Sequence, residues 1–403
     1  MERKENTVRL HIGLFGRRNT GKSSILNILT GQQLSIVSKI PGTTTDPVKK
    51  TVEIPGLGAV TIIDTAGIDD TGKLGHQRIN KTRQAVKQVD IAIIVFSNND
   101  FSIYEQQLAE QLQQLNTPFI LLHNKSDLQP AKASIETGLT ERYKAVFIDF
   151  SAKTGDNTEK LILLLQKNIP DNFTQLPPLF GDLVKSGDLV MLVTPIDSEA
   201  PEGRLILPQV QAIREALDFN CITVILKETE AKNFMLRTSI IPSLVITDSQ
   251  LFGKIDKLIS PEIPLTSFSI LLARQKGYFE TYLKGTPHID NLQDGDRILI
   301  MESCTHHSTC DDIGRVKIPR MLQNYTGHKL DFDIVSGLDE LPRHISEYAL
   351  ALHCGGCMIT RKQLLNRIQT VINANVPITN YGMVIAYVNG VWKRSVELFE
   401  IQI

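Results

Sequence analysis

The chain has 403 residues, a length that at roughly 100–200 residues per domain allows two to four domains. Its 43 Lys+Arg against 44 Asp+Glu leave a net charge of −1, which argues against coating nucleic acid or anchoring through a basic patch. With 42% hydrophobic and 22% charged residues it can bury several ordinary cores and is not a disordered chain. The charged start from Met1 to Asn6 does not read as a signal peptide, and no stretch approaches the ~20 apolar residues a bilayer span needs, so a cytoplasmic protein is expected. Five cysteines make no disulfide framework at this length, and four of them fall between 304 and 357, which points to metal or redox chemistry in a reducing compartment.

Apolar or alternating runs at 8–15, 60–64, 91–96, 119–123 and 146–149 predict strands, and 22–29 and 104–115 have helical character between them. This is the βαβ rhythm of a doubly wound, mostly parallel sheet, expected over 1–169. Pro170, Pro177 and Pro178 mark a linker within 168–182. A small α/β unit is expected over 180–262, with strands at 189–195 and 221–226 and a helix at 210–217 that places Val210, Ile213 and Leu217 on one face. About 80 residues are few for an independent core, so this unit is expected to need a partner surface. The alternation returns over 264–403, with strands at 297–301, 330–334, 348–352 and 384–388 and helices at 318–326 and 360–373, a further α/β domain.

Gly16-Arg17-Arg18-Asn19-Thr20-Gly21-Lys22-Ser23 fits G-x-x-x-x-G-K-[ST] between a predicted strand and a predicted helix. Glycines let the backbone fold around phosphate oxygens, and the loop amides and helix N-terminus attract their charge. Lys22 is expected to reach the β- and γ-phosphates and the Ser23 hydroxyl to ligate Mg²⁺, with Thr20, Gly21 and Ser24 in the same cradle. The bland alternative is a glycine turn with a surface lysine. Asp64-Thr65-Ala66-Gly67 closes a strand, so Asp64 can hold Mg²⁺ through water while the Gly67 amide senses the γ-phosphate. In Asn124-Lys125-Ser126-Asp127 the Asp127 carboxylate can accept both N–H donors of the guanine edge, which adenine does not offer. Ser151-Ala152-Lys153 follows a strand and would pack over the base.

In this order these residues resemble the G1, G3, G4 and G5 motifs of the translation-factor-related GTPases, over about residues 8–165; the resemblance implies GTP and GDP rather than adenine nucleotides. Gly42-Thr43-Thr44-Thr45-Asp46 resembles the switch I motif of the tRNA-modification and ribosome-assembly GTPases, which implies that Thr44 completes the Mg²⁺ shell. Asn19 occupies the P-loop position that helps bind K⁺ in potassium-activated members, where the ion supplies the charge an arginine finger gives elsewhere. Lys22, Thr44 and Gly67 are the expected catalytic positions. Ile68 stands where many GTPases carry a water-orienting glutamine, so hydrolysis is expected to be slow and switch-like.

Cys304-Thr305-His306 follows one predicted strand and His353-Cys354-Gly355-Gly356-Cys357 follows another. Ligand sites in doubly wound sheets form beyond the carboxyl ends of strands, so the two groups could converge although 46 residues separate His306 from His353. Several chemistries stay open on the residues alone: buried core cysteines, a thioredoxin-like pair at Cys354 and Cys357, a structural zinc, or an iron–sulfur cluster with one labile iron. Cys310 reads as a non-ligand thiol, Cys221 as an apolar filler, and His11 and His123 as structural histidines.

Cys-x-His, 46 residues, then His-Cys-x-x-Cys, in a chain that opens with a GTPase domain, resembles the FeFe-hydrogenase maturation GTPases (the HydF family) along its whole length. The resemblance implies a GTPase domain, a small dimerisation domain and a cluster domain. It implies a 4Fe-4S cluster on Cys304, Cys354 and Cys357, with His306 and His353 at the family's histidine positions; His307 lies outside that pattern but is close enough to compete as the fourth ligand. It also implies a homodimeric scaffold that receives a di-iron precursor with the help of two radical-SAM maturases and passes it to the apo-hydrogenase. Two other functions compete: a ribosome-assembly or tRNA-modification GTPase with a structural metal domain, and a GTP-regulated redox enzyme. The first would need a basic, aromatic-bearing face, against a net charge of −1 and Trp392 as the single tryptophan. The second lacks a Gly-x-Gly-x-x-Gly dinucleotide fingerprint. Neither nucleic acid nor membrane is an expected partner.

Overall fold

A computed structural model describes residues 9–31, 48–64, 82, 84–169, 177–195, 205–303, 312–337, 339–357 and 359–399. Thr44, Gly67, Ile68, Cys304, His306, His307 and Cys310 lie outside the described residues. The chain divides into two compact units, Met1–Gln175 and Leu176–Ile403.

The first unit is one sheet of β1 (Leu10–Gly16), β2 (Val48–Ile54), β3 (Gly58–Asp64), β4 (Ile91–Ser97), β5 (Phe119–Asn124) and β6 (Val146–Asp149), in the order β2-β3-β1-β4-β5-β6. All pairings are parallel except β2 with β3. Burial on both faces explains why the central strands are continuous apolar runs; β4 is buried at every position. Helices α1 (Lys22–Thr30) and α4 (Thr158–Asn168) cover one face, and α2 (Ile103–Gln114) and α3 (Ala133–Tyr143) the other. The predicted doubly wound sheet is therefore present. Its edge strand β2 escaped the sequence because Lys49 and Lys50 interrupt the alternation, as edge strands commonly do.

The second unit holds two four-stranded sheets. One runs β10-β9-β7-β8, from β7 (Leu189–Val193), β8 (Ile222–Leu226), β9 (Leu244–Thr247) and β10 (Leu265–Ser267). The other runs β12-β11-β13-β14, from β11 (Arg297–Met301), β12 (Asp331–Val335), β13 (Leu350–His353) and β14 (Ile378–Asn380). Every pairing in both is parallel. A single apolar core from Leu179 to Phe399 joins them. On the first sheet lie α5 (Leu207–Asp218) and α6 (Glu228–Thr238), and the bridge between the sheets is α7 (Phe268–Lys276). Ser267 Oγ caps α7 by accepting the Ile270 N–H at 3.3 Å. The helix is apolar on most sides, as a helix buried all round must be. It packs on α5 and on three helices of the second sheet. The remaining helices are α8 (Phe279–Gly285), α9 (Ile318–Thr326), α10 (Arg361–Asn373), α11 (Tyr381–Val388) and α12 (Trp392–Glu397).

Two expectations are corrected. Residues 384–388, expected as a strand, belong to α11; an unbroken apolar run carries no period, and the Asn380 side chain starts a helix there by accepting the Gly382 N–H at 2.8 Å. In α5 the buried positions are Pro208, Gln209, Ala212 and Ala216, while Val210 and Leu217 of the predicted core face are 45% and 62% exposed. Small residues let α5 sit close to its sheet; Ile213 packs on the core, and Val210 and Leu217 lie outward.

Glu215 of α5 fixes where the chain enters this unit. Its carboxylate accepts the N–H groups of Leu179, Phe180 and Gly181 at 2.8, 2.7 and 2.8 Å. Glu215→Ala is expected to destabilise the second unit by about 2–3 kcal/mol, since three backbone donors lose a charged acceptor. Thermal denaturation against Glu215→Gln, which keeps an acceptor oxygen, checks this.

Candidate nucleotide site and cysteine loop

The P-loop hangs between the carboxyl end of β1 and the N-terminus of α1. Gly21 has φ +95°, and a Cβ there would lie 2.2 Å from Asn124 Nδ2, so both backbone and packing demand glycine. Asn19 also takes a left-handed backbone, with φ 60°. Asn124, at the end of β5, is buried; its Nδ2 donates to Thr20 O at 2.7 Å and its Oδ1 accepts the Ala152 N–H at 3.0 Å. One amide thereby ties the phosphate loop to the loop that would cover the base. The Ser151 hydroxyl donates to Asp127 Oδ1 at 2.7 Å, fixing one oxygen of that carboxylate. The Lys22 ammonium sits over the loop, donating to the carbonyls of Gly16 and Arg17, both at 2.8 Å.

Arg17 is committed to bracing this loop. Its Nε donates to Glu105 Oε1 at 2.8 Å and its Nη1 to Asp100 Oδ2 at 2.7 Å. The buried Glu105 also accepts the Ser102 N–H at 2.9 Å as part of the α2 capping box. Ser23 and Ser24 are exposed on the first turn of α1, and Asp64 ends β3 opposite Leu14 of β1. Lys125 follows Asn124 in a left-handed conformation, with φ 66°, and Lys153 is exposed beside Ala152. His123 is structural: Nδ1 lies 2.7 Å from Asp149 Oδ1, and Nε2 accepts the Asn99 N–H at 3.2 Å.

In the second unit β11 and β13 are neighbours in register, Met301 opposite His353. The two loops that carry the cysteine motifs therefore leave adjacent strand ends. Cys354 Sγ accepts the Ser303 N–H at 3.1 Å and lies 2.9 Å from the Ser303 hydroxyl. Ser303 is the last described residue before Cys304. Gly356, with φ +68°, turns the loop toward Cys357. Beyond the strand ends lies a cavity of about 210 Å³ whose wall includes Cys354, Cys357, Glu302, Phe268, Leu272 and Tyr381. This is the crevice expected at the carboxyl edge of a parallel sheet.

Two cations and one imidazole back the loop. Lys276, the last residue of α7, is 2% exposed and donates from Nζ to Gly356 O at 3.1 Å. Burial pulls its ammonium below the usual lysine range, and the facing thiols of Cys357 and Cys354 pull it back up. Arg367 of α10 donates to Glu302 O at 2.8 Å and to Val335 O at 3.5 Å, joining the ends of β11 and β12. His353 is fully buried; its Nδ1 donates to Cys354 O at 2.6 Å and its Nε2 faces Arg367 Nη1 at 3.5 Å. Burial, reinforced by Arg367, pushes this imidazole down to about 3, so it is neutral. Both its ring nitrogens thus have partners inside the protein, away from an open ligand position.

Among the described residues no three His, Cys, Asp or Glu side chains gather as a metal site, and Cys354 and Cys357 are not joined in a disulfide. Two half-buried thiols, one receiving an N–H from the strand end and both facing buried cations, suit a thiolate-bound cluster, which adds negative charge and needs donors to its sulfurs. The sequence missed Lys276, Arg367 and Ser303. Arg367 was visible in principle: Leu364, Ile368 and Val371 are buried on α10, and Arg367 sits among them at helical spacing.

A sheet of this order, with a phosphate loop after β1 and a guanine-directed carboxylate after β5, defines a P-loop GTPase domain, here joined to an α/β unit with a cysteine loop. Residues 179–277 match the hydrogen maturase F dimerization domain, 280–398 the hydrogen maturase F tetramerization domain, and 11–125 the 50S ribosome-binding GTPase family. The chain belongs to the hydrogen maturase F family, with a translation-factor-like GTPase domain at its N-terminal side. It is similar to the tRNA modification GTPase MnmE of Prochlorococcus marinus (strain MIT 9303), 37% identical over 157 residues, which are 38% of this chain and 33% of that protein. It is similar also to GTPase Der of Wolinella succinogenes, 31% identical over 186 residues, 44% of this chain and 39% of that protein. The chain spans only about a third of the length of such curated relatives. Among solved structures, Aquifex aeolicus Era bound to GDP.AlF4- aligns with a TM-score of 0.36 and 21% identity, over 54% of this chain and 92% of that one. The C-terminal match is described by assembly, an aspect that the cysteine motifs did not signal.

Proposed function

We propose that this chain is a GTP-binding and hydrolysing scaffold that carries a 4Fe-4S cluster on Cys304, Cys354 and Cys357, receives a di-iron precursor from radical-SAM maturases and passes it to the apo FeFe-hydrogenase. The observation that supports this reading is the Ser303 N–H bond to Cys354 Sγ, which joins the residue before Cys304 to the Cys354 loop in a chain of the hydrogen maturase F family. When bound, the cluster supplies an iron with an exchangeable fourth position. The 210 Å³ cavity beside Cys354 and Cys357 is the space for the cargo. Because His353 is enclosed, His306 or His307 is the fitter occupant of the fourth position.

The functional domains of this reading are 1–169 for GTP, 180–262 for dimerisation and 264–403 for the cluster. Ser23, Thr44 and Asp64 would hold Mg²⁺, and Asn19 would hold K⁺ and make hydrolysis potassium-stimulated, in a cytoplasmic protein. GTP binds in a different unit from the cysteines and supplies no chemistry to the iron itself. Lys22→Ala is therefore expected to keep wild-type iron and sulfide content while losing nucleotide binding and most hydrogenase activation in a reconstituted assay. Loss of iron in that variant, or full activation without nucleotide, would overturn the division of labour.

Dimerisation is supported by the edge strand β8, where Ile222 and Ile225 are 57% and 44% exposed, next to the outward Val210 and Leu217 of α5. An exposed apolar edge strand is a template for pairing. Ile222→Asp with Ile225→Lys is expected to convert dimers into monomers in light scattering, and unchanged mass would count against this face.

A further inference from the structure

We propose that Lys276 is a positioning and charge-compensating residue of the Cys354–Cys357 loop, and that its positive charge raises the reduction potential of the centre held there. The inference rests on the cluster reading above. Lysine is almost never fully buried unless it is paired, because an ammonium removed from water loses far more than one hydrogen bond restores. Lys276 is 2% exposed, and the acceptor it has is a neutral carbonyl, Gly356 O at 3.1 Å. That satisfies one of its three N–H groups and none of its charge. Among the described residues no carboxylate pairs with it; the carbonyl it holds belongs to the turn between Cys354 and Cys357, where metal-bound thiolates would supply the opposite charge.

Its place in the fold follows from α7. The helix leaves β10, crosses the joint core and delivers its last residue under the turn between the two cysteines. Arg361 Nε donates to Lys276 O at 3.2 Å, so the backbone that carries the ammonium is itself pinned to α10. Arg367 lies on the other flank, toward Cys354, with its N–H groups on the carbonyls of Glu302 and Val335. The thiolate loop is thus bracketed by two cations from two helices.

Three thiolates on an oxidised 4Fe-4S core leave one net negative charge, and one-electron reduction by a low-potential donor makes it two, with no bond made or broken. A buried cation favours the more negative state. At an effective dielectric of about 20, a unit charge about 12 Å from the added electron shifts the ratio of reduced to oxidised form by about tenfold, and a nearer one by more; for a one-electron couple tenfold is about 59 mV. Net charge and donors near the sulfurs are general determinants of cluster potential.

The test uses the full chain, reconstituted anaerobically and titrated with dithionite while the EPR signal of the reduced state is followed. Lys276→Gln keeps an N–H for Gly356 O but no charge, Lys276→Met keeps neither, and Lys276→Arg keeps both. Gln and Met should each lower the reduced fraction at a fixed potential by about tenfold, and Arg should restore it. Wild-type behaviour in Gln with a shift in Met alone would reduce the role to a hydrogen bond and overturn the charge assignment. Unshifted titrations in all three variants would also overturn it, as would a Gln variant that melts like wild type yet takes up no iron. Should Met fail to fold, the Gln and Arg arms still decide the matter. Wild-type protein without a 4Fe-4S signal would refute the cluster reading instead, a result distinct from all of these.

Discussion

Cys354→Ala and Cys357→Ala are expected to abolish the four-iron centre. Each should drop iron and sulfide from about four per chain to near zero and erase the reduced-state EPR signal, while the rate of GTP hydrolysis stays within about twofold of wild type. Cys304→Ala should behave alike. The size of the effect follows from the site. A thiolate–iron bond has no substitute here, because the nearest side-chain partner of Cys354 Sγ is the Ser303 hydroxyl at 2.9 Å, a far weaker ligand for iron. The fold should survive, since both cysteines are only half-buried and the strand register of β11 and β13 does not depend on them. His306→Ala and His307→Ala should instead retain four irons with an altered EPR line shape, as befits an exchangeable position. Zinc as the sole metal after anaerobic reconstitution would refute the cluster in favour of a structural site, and four irons in Cys354→Ala would refute the ligand set.

What the sequence disclosed and what it withheld follow a physical line. The GTPase sheet was legible because parallel strands buried on both faces read as unbroken apolar runs, and because loop chemistry for phosphate and guanine is local in sequence. The strands at 189–195, 297–301 and 330–334 were found within two residues for the same reason. Residues whose role depends on packing were not legible. The α5 face was legible only in part, because hydropathy cannot tell an apolar stripe that meets its own sheet from one left on the surface; Ala212 and Ala216 are buried and Ile213 packs on the core, while Val210 and Leu217 are exposed. Residues 384–388 misled because a fully buried helix and a buried strand both lack a polar period. At the cysteine loop the ligand types were legible, and their support was not: Lys276 lies 78 positions before Cys354 and Ser303 lies 51, and only the meeting of α7, β11 and β13 brings them together. His353 is a candidate ligand through the family resemblance, and the packing around it was not legible: its ring is buried against Cys354 O and Arg367.

Asn124→Ala is expected to weaken GDP and GTP binding by about two orders of magnitude. The side chain makes two bonds that no neighbour can replace: it donates to Thr20 O at 2.7 Å in the phosphate loop and accepts from Ala152 N–H at 3.0 Å in the base loop. A net hydrogen bond is worth about 1–1.5 kcal/mol, and a buried group left without its partner costs more, so losing both comes to roughly 3 kcal/mol. At 1.4 kcal/mol per factor of ten this is about 10²-fold in Kd. The cost falls on binding because the nucleotide must then order two loops that the wild-type protein holds in place. Asn124→Asp separates the two bonds. It keeps an acceptor for Ala152 N–H but sets a carboxylate against the carbonyl of Thr20, close to where phosphates would lie, so it should bind no better than the alanine variant. Titration with a fluorescent guanine nucleotide measures both. A Kd within threefold of wild type for Asn124→Ala would mean that the loops stay aligned without this amide, and that the geometry at Gly21 and Thr20 rests on the backbone alone.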